Sequence, residues 1–137
     1  MSDLSLIPDR SNRPHPLILL ADDDLEIRTL LRLALEPLEC DIIEAPDGEV
    51  ALEHILVEAP DLVVLDVMMP GLTGWEICKY VRQKEGYERT RILMLTAVGE
   101  AVNSMTAPLY GADRFLDKPF DMDEVLNVIS ELLAEER

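Results

Sequence analysis

An α/β fold built on a five-stranded parallel sheet with helices on both faces is what this sequence predicts, and two observations predict it. Short continuous apolar runs, Leu17 to Leu20, Leu62 to Leu65 and Ile92 to Leu95, have the pattern of strands buried on both faces. Between such runs lie segments whose apolar residues recur at helical spacing, so strand and helix patterns alternate along the chain.

Residues 1 to 15 combine Ser2, Pro8, Ser11, Asn12 and Pro14 with little apolar periodicity and read as a flexible leader, with one domain from 16 to 137. The first strand, Leu17 to Leu20, precedes a helix over Asp24 to Glu36 that spaces Ile27, Leu30, Leu31, Ala34 and Leu35 along one stripe. A second strand, Asp41 to Ala45, leads into a helix over Asp47 to Glu58 carrying Val50, Ala51, His54, Ile55 and Val57. The third strand, Leu62 to Leu65, is followed by a helix over Gly74 to Lys84, and the fourth, Ile92 to Leu95, by one over about 100 to 107. A fifth strand, Arg114 to Leu116, and a last helix, Asp121 to Ala134, complete five βα units. Around the fourth helix, in the stretch up to Tyr110, Gly99, Asn103 and Pro108 break the pattern, and Pro108 would cost about 3 kcal/mol in a helix interior, which predicts a short, kinked or mobile element.

Composition limits the function. With 28 acidic against 12 basic side chains the formal charge is −16, which disfavours nonspecific attraction to nucleic acid or anionic lipid. No apolar run approaches the roughly 20 residues that cross a bilayer, and the first 15 residues lack the pattern of a signal peptide, so a cytoplasmic location is expected. Cys40 and Cys78 fall inside strand and helix patterns and read as buried thiols rather than a disulfide.

In an open parallel sheet ligands sit beyond the carboxyl ends of the strands. Here those ends carry Asp22, Asp23 and Asp24 after the first strand, Asp66 at the third, Thr96 at the fourth and Lys118 with Pro119 after the fifth. Two unit charges ~5 Å apart cost each other ~3 kcal/mol at an effective dielectric of ~20, so clustered acids call for a cation. Mg²⁺ suits them, because it takes carboxylate and carbonyl oxygens and commonly bridges to phosphate.

The fragments I-L-L-A-D-D-D, L-D-V-M-M-P-G-L-T-G-W-E, L-M-L-T-A and G-A-D-R-F-L-D-K-P-F, in this order over residues 17 to about 134, resemble the receiver domain of two-component response regulators. The resemblance implies a flavodoxin-like strand order 2-1-3-4-5. It further implies that Asp66 accepts a phosphoryl group from a sensor histidine kinase or a histidine phosphotransfer protein. By the same resemblance Mg²⁺ is held by Asp22, Asp23, Asp66 and the backbone carbonyl of Met68. Thr96 matches the hydroxyl that moves to the phosphoryl, Lys118 the cation that contacts it, and Phe115 the aromatic switch. The Lys118 to Pro119 bond is cis in the family, and a cis bond is realistic mainly before proline.

Such a chain is a phosphoacceptor signalling domain that catalyses its own phosphorylation and a slow autodephosphorylation, rather than an enzyme with a separate substrate. Its output would be contact with a protein or output domain through the fourth helix, the fifth strand and the last helix, without direct nucleic acid or membrane binding. Residues 121 to 137 hold six acids and one arginine, which favours basic or apolar protein patches. Met68 and Val98, two residues beyond Asp66 and Thr96, cannot hydrogen-bond an attacking water, so the phosphoryl is expected to be long-lived.

Plainer roles stand beside these. Asp24 reads as a helix cap, Phe115 as a core aromatic, His15 and His54 as structural or solvated, and Trp75 either as a neighbour of the acidic site or as packing for the third helix. Two rival functions remain at this point: an interaction module of the same fold without phosphorylation, and a small phosphatase with an aspartyl-phosphate intermediate. The latter wants a second acid where Met68 stands.

Overall fold

The computed structural model describes residues 13–97 and 111–135. They form strands β1 (Leu17–Ala21), β2 (Asp41–Ala45), β3 (Leu62–Asp66), β4 (Arg91–Thr96) and β5 (Arg114–Asp117), with helices α1 (Leu25–Ala34), α2 (Gly48–Glu58), α3 (Gly74–Gln83) and α4 (Met122–Ala134). The helix expected over about 100 to 107, together with Val98, Gly99, Asn103 and Pro108, lies outside the described residues.

The strands make one sheet in the order β2-β1-β3-β4-β5, and every neighbouring pair is parallel. Strand side chains alternate between two cores. Ile18, Leu20, Val64, Leu93 and Leu95 pack with Leu31 and Ala34 of α1 and with Val125 and Ile129 of α4. Leu19, Ala21, Val63, Leu65 and Met94 pack with Ala51 and Ile55 of α2 and with Ile77 and Val81 of α3. Burial on both faces explains why these strands are continuous apolar runs instead of alternating ones.

Each helix starts on a side-chain cap. Asp24 accepts from the Glu26 amide at 2.8 Å and Asp47 from the Val50 amide at 2.9 Å. Thr73 with Glu76, and Asp121 with Glu124, form reciprocal capping boxes at α3 and α4. Two residues assigned to apolar stripes by their spacing face solvent: Leu30 is 43% and Val57 60% exposed. Val57 is two residues past the buried Ile55, roughly 200° around the helix, so it cannot share that face.

Arg13, within the stretch read as leader, donates to the carbonyls of Ala59, at 2.8 Å, and Glu58, and pairs with Asp61 at 3.2 Å. It thereby closes the end of α2, whose last carbonyls lack helical donors. Among the described residues no helix is long and apolar enough to cross a membrane.

Candidate functional site

Parallel register brings the carboxyl ends of four strands to one edge: Ala21 lies beside Leu65, Asp66 beside Leu95, and Thr96 beside Asp117. The acidic turn after β1 is held by its own backbone. Asp22 donates its amide to the Ala45 carbonyl at 3.2 Å, its Oδ1 accepts from the Asp24 amide at 2.9 Å, and its carbonyl accepts from Arg28 Nη1 at 2.6 Å. This turn buries Asp22 and leaves Asp23 exposed.

Asp66, the last residue of β3, is 4% exposed. The loop after it is pressed against α3, because the Gly74 amide donates to the Val67 carbonyl at 2.8 Å and a Cβ on Gly74 would stand 2.5 Å from the Asp66 carbonyl oxygen. The start of α2 pins the same loop from the other side. The Gly48 amide donates to the Pro70 carbonyl at 3.0 Å, and a Cβ there would meet the Leu72 carbonyl oxygen at 2.0 Å.

Lys118 follows β5, and its amide donates to the Thr96 carbonyl at 2.6 Å. The Lys118–Pro119 peptide is cis. From there Nζ reaches 3.0 Å from Asp22 Oδ2 and 3.4 Å from Asp66 Oδ1. Burial opposes the ammonium, but Asp22 and Asp66 outweigh it and raise its pKa. Burial and then the charge of Asp22 push the Asp66 carboxyl up to about 6, against the partial relief of Lys118 and of the Met68 amide, which donates to it. Asp22 is raised as well, chiefly by burial. One ammonium therefore does not satisfy this cluster of acids.

The residues fit a divalent cation. Carboxylate oxygens of Asp22, Asp23 and Asp66 all lie within 4.8 Å of one another. Asp22 Oδ2 is buried and, among the described residues, accepts no hydrogen bond of normal geometry apart from its ion pair with Lys118. An all-oxygen donor set with an unsatisfied buried carboxylate oxygen suits Mg²⁺.

The structure thus brings together Asp22, Asp23, Asp66 and Lys118. Thr96 is buried at the same edge, yet its hydroxyl donates to Asp117 Oδ1 at 2.7 Å. Phe115 packs on Trp75, with ring centroids 5.6 Å apart and planes tilted by 57°. Both rings flank the core shared with α2 and α3, so Trp75 has a packing role. Met68 turns its side chain outward, 56% exposed. Asp24 caps α1, and neither cysteine is in a disulfide: Cys78 is buried, as expected, and burial pushes its thiol up to about 11, whereas Cys40 is only half-buried. His15 lies 3.9 Å from Glu39.

Sequence reasoning missed Asp117, Gly48, Gly74 and Arg82. Arg82 of α3 donates to the Gly111 carbonyl at 2.7 Å and to Asp113 at 2.9 Å, while Asp113 also accepts the Ile92 amide at 2.7 Å. This network ties the entry of β5 to β4 and α3. The G-A-D run ahead of β5 was its only signal.

Residues 18–130 match the family model of the response regulator receiver domain. The chain is 46% identical over 108 residues to the alkaline phosphatase synthesis transcriptional regulatory protein PhoP of Bacillus subtilis (strain 168), covering 79% of this chain and 44% of that protein. It is 36% identical over 118 residues to the DNA-binding dual master transcriptional regulator RpaA of Synechocystis sp. (strain ATCC 27184 / PCC 6803 / Kazusa), covering 86% of this chain and 49% of that protein. The chain spans about half the length of these curated relatives or less. Among solved structures it is similar to the chemotaxis response regulator CheY4 of Vibrio cholerae, with a TM-score of 0.78 and 30% identity over 86% of this chain and 98% of that one.

Proposed function

This chain belongs to the response regulator receiver domain family, and from that premise we propose that Asp66 accepts a phosphoryl group from the phosphohistidine of a sensor histidine kinase or a histidine phosphotransfer protein. The observation that carries this reading is the approach of Lys118 Nζ to both Asp22 and Asp66, at 3.0 and 3.4 Å. A cation aimed at an acceptor carboxylate is what transfer of a charged group needs.

An Asp66 carboxylate oxygen attacks phosphorus in line, the P–N bond to the donor imidazole breaks, and the imidazole nitrogen takes a proton from solvent. Lys118 stabilises charge on a phosphoryl oxygen. Asp22, Asp23, Asp66 and the Met68 backbone carbonyl would hold Mg²⁺, which supplies charge neutralisation for the incoming phosphoryl. The product carries about −1.5 to −2 charge, and the Thr96 hydroxyl turns to it. Phe115 then follows into the space that Thr96 leaves, which biases a two-state equilibrium.

Hydrolysis is slow, since the exposed Met68 side chain offers attacking water no hydrogen bond. The chain's activity stays within this self-phosphorylation and its slow reversal. The same Met68 stands where an aspartyl-phosphate phosphatase would need a second acid, and the assembled acceptor site disfavours a module that has lost phosphorylation. The output is protein contact through β5, α4 and the segment between β4 and β5, in the cytoplasm. The −16 charge disfavours DNA as a direct partner of this segment. Should a longer chain bind DNA, as the name of RpaA states for that protein, this segment would act on that part by contact.

Acetyl phosphate with Mg²⁺, followed by intact mass, tests the reading. One added phosphoryl in the wild type, absent in Asp66→Asn and in EDTA, is expected. A wild type that stays unmodified refutes it.

A further inference from the structure

We propose that Asp117 is a positioning residue that holds the Thr96 hydroxyl away from the acceptor site until a phosphoryl group competes for it. The inference rests on the phosphorylation reading above and adds a residue to it. Thr96 occupies β4, the strand between β3, which carries Asp66, and β5, which carries Asp117. Its register places it one residue beyond the level of Asp66 and directly beside Asp117. A threonine hydroxyl has one proton to donate. Thr96 is 1% exposed, so that proton has a protein acceptor, and it goes to Asp117 Oδ1 at 2.7 Å.

The contact cannot drift. Asp117 closes β5, and the next amide, that of Lys118, donates to the Thr96 carbonyl at 2.6 Å, which locks the two backbones together. Movement of Thr96 to a phosphoryl is therefore an exchange of acceptors, from a carboxylate of one negative charge to a group of about two. Asp117 is exposed, so water replaces the donor that it loses. That keeps the exchange reversible.

Half-maximal phosphorylation by acetyl phosphate in Mg²⁺, read by intact mass, is the measurement. A hydrogen bond to a charged, solvent-facing acceptor is worth about a factor of ten, so Asp117→Ala should reach half-maximum at roughly tenfold lower acetyl phosphate. Asp117→Asn keeps an oxygen acceptor without the charge and should fall between. In a Thr96→Ala background Asp117→Ala should change nothing, which separates action through the hydroxyl from simple removal of a negative charge. An Asp117→Ala variant equal to wild type, or an effect that persists without the Thr96 hydroxyl, overturns the proposal. A wild type that gains no phosphoryl overturns the functional reading itself and this inference with it.

Discussion

Lys118 and Asp22 meet at 3.0 Å although their strands, β5 and β1, are separated in the sheet by β4 and β3. Adjacent strands lie about 4.8 Å apart, so the lysine spans much of the sheet edge and passes Asp66 on the way. Replacing it leaves two largely buried carboxylates without their cation. Lys118→Met should lower the stability of the metal-free chain at neutral pH by about 2 kcal/mol in urea unfolding, below the full cost of breaking a buried pair because Nζ is partly solvated. Saturating Mg²⁺ should recover most of the loss.

Stability without metal should rise on mild acidification. The native chain keeps the Asp66 proton up to about pH 6, whereas an unfolded one releases it near 3.8, so between those values the folded state holds more protons. Stability then falls as pH rises through that window, and Asp22, shifted in the same direction, adds to the trend. In EDTA the chain should be more stable at about pH 5 than at about pH 7.5 by about 1 kcal/mol from Asp66 alone. Asp66→Asn should remove that share, as thermal unfolding would report. No difference between the two pH values in wild type would contradict the raised carboxyl.

Gly74→Ala tests the close approach of α3 to the acceptor loop. Alanine is favoured over glycine in helices by about 1 kcal/mol, yet its Cβ would stand 2.5 Å from the Asp66 carbonyl oxygen. The clash should prevail, with a net loss of about 1–3 kcal/mol and slower phosphorylation. Unfolding midpoints and the acetyl phosphate assay would show both.

Trp75 is the sole tryptophan and touches Phe115, so its emission should change when the chain is phosphorylated. Phe115→Leu should abolish most of that change while leaving the mass gain intact. Emission that ignores phosphorylation in wild type would remove Phe115 as the moving aromatic.

The phosphoryl, once formed, should persist for minutes or longer in Mg²⁺ without a phosphatase, because the Met68 side chain cannot orient water. Decay followed by mass after removal of acetyl phosphate would decide this. Loss within seconds would count against it.

The fold class and the acidic cluster were legible in the sequence because both are local. Runs such as Leu62 to Leu65 state burial on two faces, and Asp22, Asp23, Asp66 and Lys118 each sit at the end of such a run. Periodicity failed at Val57, where an apolar residue lies two positions from the buried Ile55 and turns outward.

What the sequence determined by itself was the five strands, the four described helices with the Asp24 cap of the first, and the acids, hydroxyl and ammonium at the strand ends, since backbone periodicity and capping depend on neighbours a few residues away. Only the tertiary structure decided that the Thr96 hydroxyl rests on Asp117, that Gly48 and Gly74 let two helices press on the loop after Asp66, and that Arg82 ties down the entry to β5. Each of these depends on register or distance between segments far apart in the chain, and the free energy that sets them comes from packing the whole sheet rather than from any local pattern.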